Sequence, residues 1–244
     1  MSIADNITNV RARIAQAAQR AGRAPDDVQL LVVTKNHTVD EIRKVHEAGY
    51  RLVGENRVQE AQQKIPQLPG DFIWHMIGHI QTNKAKVVPR LFRMAHSVDS
   101  VRLARELNKA QLRRQEESAF RGQTAGEPEQ RFGILLEVNV SGEESKFGLP
   151  PAAVEAVLRE IAAMEALRVR GLMTMAPYVD DPERARPFFR ALRELRERLR
   201  DLALENAPLD RLSMGMSNDY EVAIEEGATI VRVGSAIFGS GEGR

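Results

Sequence analysis

Cysteine is absent from the 244 residues, which excludes disulfides, thiolate metal sites and cysteine nucleophiles. Long apolar runs are missing as well. No stretch approaches the roughly 18 consecutive apolar residues of a membrane span. The opening segment, MSIADNITNVRARIAQAAQRAG, has the pattern of a polar amphipathic helix and lacks the apolar centre of a signal peptide. A cytoplasmic protein is expected. Charge of one sign is lacking too: 35 basic residues stand against 34 acidic ones, a net charge of +1. Such a balance supplies no field to draw in nucleic acid or an anionic membrane. What is present, 43% hydrophobic residues and a mean hydropathy of -0.36, describes a globular chain with an ample core. The length suits one large domain or two small ones, and α/β barrels run to about 250 residues as a single unit.

Hydrophobic periodicity orders the chain. An opening helix ends near Gly22. Val28 to Thr34 is a nearly continuous apolar run rich in β-branched residues, as expected of a strand buried on both faces. Thr38-Val39-Asp40-Glu41 is a capped helix start, and Gly49 suits its C-terminal cap. Further strands are expected at Arg51–Gly54, Phe72–Ile77, Phe92–His96, Gly133–Val140, Val169–Met173, Arg211–Met214 and Thr229–Val233. Helical patterns fill the gaps, among them Arg57–Ile65, Ser100–Leu112, Pro151–Met164, Pro182–Leu204 and Asp219–Glu226. Eight strictly alternating βα units predict a single (β/α)8 barrel over residues 1–244 with an extra N-terminal helix; a doubly wound open sheet is the alternative. Gln111 to Arg131 is polar, with glycine and proline, and is expected to extend a helix into a mobile loop. The arginine-rich stretch from Arg190 alternates with acids and is expected to be a solvated face.

In a barrel the chemistry lies at the C-terminal ends of the strands. Lys35 follows the first strand directly and is expected to be half desolvated. Burial disfavours its ammonium form and frees an amine for attack on a carbonyl, unless the side chain snorkels to solvent. Strand two ends in Gly54-Glu55-Asn56-Arg57 and strand three in Gly78-His79, polar groups that could read a ligand. Lys146 lies in a glycine-flanked loop after strand five; it is either a relay that releases a ligand held on Lys35 or an exposed lysine paired with Glu143 or Glu144. After strands seven and eight come Ser217 and Gly234-Ser235, small residues that let backbone N–H groups approach a phosphate. With Arg232, these are the parts needed to hold a phosphorylated aldehyde. His75 and His79 are four apart, but no carboxylate cluster joins them, so no metal is expected.

Taken together, Val33-Thr34-Lys35, GENRVQE from Gly54, WHMIGHIQTNK from Trp74, HSVDS from His96, SKFG from Ser145, GLMTMAP from Gly171, LSMGMSNDY from Leu212 and VRVGSAIFG from Val231 resemble the YggS/PROSC family. These are the pyridoxal 5′-phosphate (PLP) homeostasis proteins, related in fold to the barrel domain of alanine racemase. The resemblance covers nearly the whole chain in order. It implies a PLP-bearing barrel of the fold type III kind with Lys35 as the aldimine lysine. It further implies that Arg232 faces the pyridine nitrogen, that Ser217, Gly234 and Ser235 hold the phosphate, and that Asn56 and His79 lie near the ring. Family members are regarded as PLP carriers or regulators, with no established reaction. Their partners would be PLP and apo PLP-dependent enzymes, and a monomer is expected. Racemase relatives add a C-terminal domain with a tyrosine base. The end of this chain just after strand eight leads us to expect that domain to be lacking, and Tyr50, Tyr178 and Tyr220 have no sequence reason to replace its base. A racemase-like PLP enzyme is the alternative, and a barrel aldolase or isomerase using Lys35 on a sugar phosphate is a third reading.

Overall fold

A computed structural model describes residues 2–120, 131–143 and 146–239. Eight parallel strands close into a barrel in chain order, each hydrogen-bonded to the next and β8 to β1. They are β1 (Gln29–Val33), β2 (Leu52–Glu55), β3 (Ile73–Met76), β4 (Met94–Val98), β5 (Phe132–Glu137), β6 (Leu167–Met173), β7 (Arg211–Ser213) and β8 (Ile230–Val233). Helices α1 (Ile3–Arg20), α2 (Val39–Glu47), α3 (Val58–Lys64), α4 (Val88–Leu91), α5 (Val101–Phe120), α6 (Val154–Ala162), α7 (Arg186–Arg200), α8 (Tyr220–Glu225) and α9 (Ser235–Phe238) surround it. The closed barrel, with α1 added against α8 and α9, is the expected architecture, and the open sheet is excluded.

The strand alternation sorts side chains into two layers. Outward residues such as Val32, Val53, Met76, Ile134, Leu172 and Val231 pack under the helices in one continuous core. Inward residues form small apolar clusters, Leu31 with Ile77 and Ile230, and Met94 with Leu135 and Met173. Other inward positions carry the buried polar residues His75, His96, Glu137, Ser213 and Arg232, and these define the site.

Local signals behave as the sequence predicts. Thr38 caps α2 by accepting from the Glu41 N–H at 3.2 Å, while the Glu41 carboxylate accepts from the Thr38 N–H at 2.8 Å. The stretch from Gln111 extends α5 to Phe120, the helix extension expected there, with Arg114 donating to the Pro89 carbonyl at 2.8 Å; residues 121–130, where the loop is expected, lie outside the described residues. One expectation changes. The arginines of α7 are not simply solvated. Arg186, Arg190 and Arg193 converge on the buried Glu226 at 3.3, 3.0 and 2.9 Å, so this face is used to lock α7 to the segment after α8. Among the described residues no helix is long and apolar enough to cross a membrane.

Candidate functional site

Lys35 lies just past β1, at the corner of a tight turn. The His37 N–H donates to the Thr34 carbonyl at 3.1 Å, and Asn36 takes the left-handed conformation, φ 63°, that such a turn requires and asparagine tolerates. The corner lifts Lys35 into solvent, so it is exposed and not half desolvated as expected. The next strand fixes the turn. Glu55 is fully buried, and its carboxylate accepts from Thr34 Oγ1 at 3.1 Å, from the Asn56 N–H at 2.9 Å and from Lys64 Nζ at 2.8 Å. Lys64 also donates to the Thr34 carbonyl at 3.1 Å. The sequence offers Glu55 only as a polar group that could read a ligand and does not mark Lys64, yet together they bind the ends of β1 and β2 so that Lys35 and Asn56 emerge side by side. Asn56 Oδ1 is buried without a hydrogen-bond partner.

The opposite arm of the site comes from β7 and β8. Gly215 has φ 92° and sits where a Cβ would lie 2.6 Å from that of Ala223, so no other residue fits there. Ser217 Oγ accepts from the Ala236 N–H at 3.4 Å, joining the seventh and eighth loops. Gly234 approaches Val33 so closely that a Cβ would meet its side chain at 3.2 Å. Phe238 stacks on His37 with centroids 3.8 Å apart. The turn bearing Lys35 and the segment bearing Gly234 and Ser235 are therefore in direct contact.

Below this rim Arg232 is buried inside the barrel. It donates to Ser213 Oγ at 2.7 Å and to the Thr174 carbonyl at 2.9 Å, which leaves donors for a ligand. Burial brings its pKa down to about 10, against the pull of Glu137 and Asp219, so it stays charged at neutral pH. Glu137, the last residue of β5, is buried with Oε2 unpaired. Burial and the nearby Asp99 push it up to about 7, while Arg232 opposes the rise. His75 and His96 complete the interior. Their rings meet at 3.0 Å, and His96 Nδ1 lies 2.9 Å from Ser213 Oγ. Burial and then nearby positive charge bring His75 down to about 3; burial likewise holds His96 well below its ordinary value.

Lys35, Asn56, Ser217, Arg232, Gly234 and Ser235 thus come together across the β8, β1 and β2 side of the mouth. Lys146 and His79 lie on the β3 and β5 side. Lys146 Nζ pairs with Glu143 at 3.0 Å, the bland alternative for that residue. His79 faces Asp99 at 3.4 Å and stacks on Phe147. His79 also borders, with Asn56, Arg57 and Lys84, a cavity of about 540 Å³ beside the mouth. Among the described residues no three His, Asp or Glu side chains gather as a metal would require. Sequence reasoning missed Glu137; the available signal was a polar residue at an inward position of a strand otherwise apolar.

Fold and site together define a closed (β/α)8 barrel with an accessible amine at the rim and a guanidinium anchored beneath it. The chain belongs to the alanine racemase N-terminal domain family, whose pattern it matches over residues 6–242. It is similar to a protein of Aquifex aeolicus named pyridoxal phosphate homeostasis protein, 40% identical over 240 residues, 98% of each chain. A protein of the same name from Pseudomonas aeruginosa is 42% identical over 242 residues, 98% of this chain and 96% of the other. Among solved structures, PipY of Synechococcus elongatus with PLP bound superposes with a TM-score of 0.79 at 33% identity, over 98% of this chain and 100% of that one.

Proposed function

We propose that this protein binds PLP at the mouth of its barrel, anchored on Lys35, and serves the homeostasis and delivery of that cofactor without a reaction of its own. One observation carries the reading: a charged guanidinium, Arg232, is held by Ser213 and Thr174 inside the barrel, two residues before the Gly234 turn. The groups present fit PLP. Lys35 offers an exposed amine, Asn56 an unpaired buried oxygen, and Ser217, Ser235 and the N–H groups at Gly234 donors for a phosphate. When bound, PLP supplies an aldehyde that condenses with an amine and a ring able to withdraw electrons. Arg232 can only donate, so it favours an unprotonated ring nitrogen and weakens that withdrawal. The names of the relatives support the same reading. The proposal extends to apo PLP-dependent enzymes as recipients and to a cytoplasmic monomer. Lys146 would assist release after leaving Glu143.

Borohydride reduction of the PLP-loaded protein, followed by peptide mass spectrometry, tests the anchor. The adduct is expected on Lys35; an adduct on another lysine with none on Lys35 overturns the assignment. Phosphate contacts of this kind contribute roughly 1.5–3 kcal/mol each, so pyridoxal lacking phosphate should bind far more weakly. A second reading, a racemase-like catalyst, is favoured by Glu137, a buried carboxyl titrating at about 7, where a general base works best. Exchange of amino-acid Cα protons with deuterated water, abolished in Glu137→Gln, would favour it; no exchange supports the carrier.

A further inference from the structure

Four polar side chains form one hydrogen-bonded line across the barrel. It runs from Arg232 on β8 to Ser213 on β7 at 2.7 Å, on to His96 on β4 at 2.9 Å, and ends at His75 on β3 at 3.0 Å. Strands β3 and β4 face β7 and β8 across the closed ring, so the line spans its diameter. All four residues are buried. Barrel interiors are ordinarily filled with Val, Ile and Leu, and a buried polar line is costly unless each member is satisfied.

Its direction follows from one end. A guanidinium cannot accept, so Ser213 Oγ accepts from Arg232 and has one proton left to give. The acceptor within reach is His96 Nδ1, which must then be bare, with the His96 proton on Nε2. That proton is donated to His75 Nδ1, which places the His75 proton on its own Nε2. Both rings must be neutral, and their burial beside positive charge keeps them so. Reversing any link would aim two protons at one another or leave the Ser213 hydroxyl without an acceptor.

We infer that Ser213, His96 and His75 are positioning residues, a one-way hydrogen-bond line that fixes the angle at which Arg232 meets the cofactor ring. The inference rests on the proposed binding of PLP against Arg232. The line leaves Arg232 little freedom to turn: NH1 is committed to Ser213 and NH2 to Thr174. Breaking it at Ser213 or His96 frees the guanidinium to rotate towards Glu137 or Asp219, the acids that act on it.

Two measurements test this. Nitrogen-15 NMR of the cofactor-free protein should find His75 and His96 neutral, each protonated on Nε2, throughout the neutral pH range; a charged ring or an Nδ1–H tautomer at His96 overturns the line. Binding of PLP is then compared with binding of an analogue whose ring nitrogen is replaced by CH. Arg232→Met, Ser213→Ala and His96→Leu should each weaken PLP about tenfold, the loss of roughly one charged hydrogen bond, and shift the absorption of the bound cofactor. The same variants should leave the analogue nearly unaffected. His96→Gln, whose amide can accept from Ser213 and donate to His75, should restore most of the affinity. If Arg232→Met does not separate PLP from the analogue, the placement of Arg232 against the ring is wrong. If Arg232→Met separates them but Ser213→Ala and His96→Leu do not, the placement stands and the positioning role is overturned.

Discussion

Removing the Lys35 amine should cost the fold little, because the side chain is exposed at a turn corner and fills no core volume. Lys35→Ala is expected to stay within about 0.5 kcal/mol of the parent in urea denaturation while losing all borohydride-trapped cofactor. Arg232 is the reverse case. Arg232→Glu would add a buried carboxylate under the influence of Glu137 and Asp219 and strip the donors from Ser213 and Thr174. Leaving uncompensated buried charge costs about 3–5 kcal/mol. Arg232→Met loses the hydrogen bonds without adding a charge, at about 1–3 kcal/mol. The glutamate variant should therefore unfold at distinctly lower urea than the methionine variant. Equal midpoints would mean that the substituted side chain reaches solvent.

Between elements, the tie of α3 to β1 and β2 rests on one buried ion pair. Lys64→Ala would leave the Glu55 carboxylate, fully buried, with two hydrogen-bond donors and no cation, a loss of about 3–5 kcal/mol. Glu55→Gln combined with Lys64→Met removes both charges and should recover part of that loss, a non-additivity that a double-mutant cycle in urea would measure. Recovery of nothing would show that packing, not charge, sets the cost. This tie also marks where reading from sequence stops. The strands were legible within about three residues because apolar runs such as Gln29–Val33 have few other uses, and Lys35 and Arg232 could be placed relative to strand ends. The polar run from Gln111 to Phe120 was legible as a helix extension but gave no end point, because it carries few apolar residues to mark a buried stripe. Glu55 with Lys64, and His75 with His96 and Ser213, stayed hidden for another reason. Each pairing joins different elements, and local spacing says nothing about which inward positions meet across a ring.

For the molecule as a whole, the interior titrating groups set a pH profile. His75 falls from 6.5 to about 3 on folding and His96 falls well below 6.5, so the unfolded chain binds more protons. Their contribution is fully present above 6.5 and is lost as pH falls, about 1.4 kcal/mol per pH unit for each ring. Glu137 acts oppositely. Its rise from 4.5 to about 7 means the folded state holds the extra proton, and stability is lost as pH rises across that window. Between 4.5 and 6.5 the net slope should equal one histidine, and below 4.5 it should steepen as Glu137 drops out. Surface carboxylates held low by their partners, Asp71 and Asp210 among them, add in the same direction at lower pH. Urea midpoints measured against pH would check this; His96→Gln should flatten the upper part of the curve, and an unchanged slope would contradict the buried neutral ring.

The pairing of β1 with β8, Leu31 opposite Arg232 and Val32 opposite Val233, has a consequence for how the protein is made. These partners lie about 200 residues apart, and a ribosome adding roughly 5–20 residues per second needs some 10–40 s to pass from one to the other. Throughout that interval the first strand has emerged with one edge unmatched. The segment bearing Lys35 is made early, whereas Arg232, Gly234 and Ser235 come about 200 residues later. On the proposed reading, the cofactor site cannot assemble until β8 has been made and has paired with β1, so the Lys35 amine stands without its partners for that whole interval.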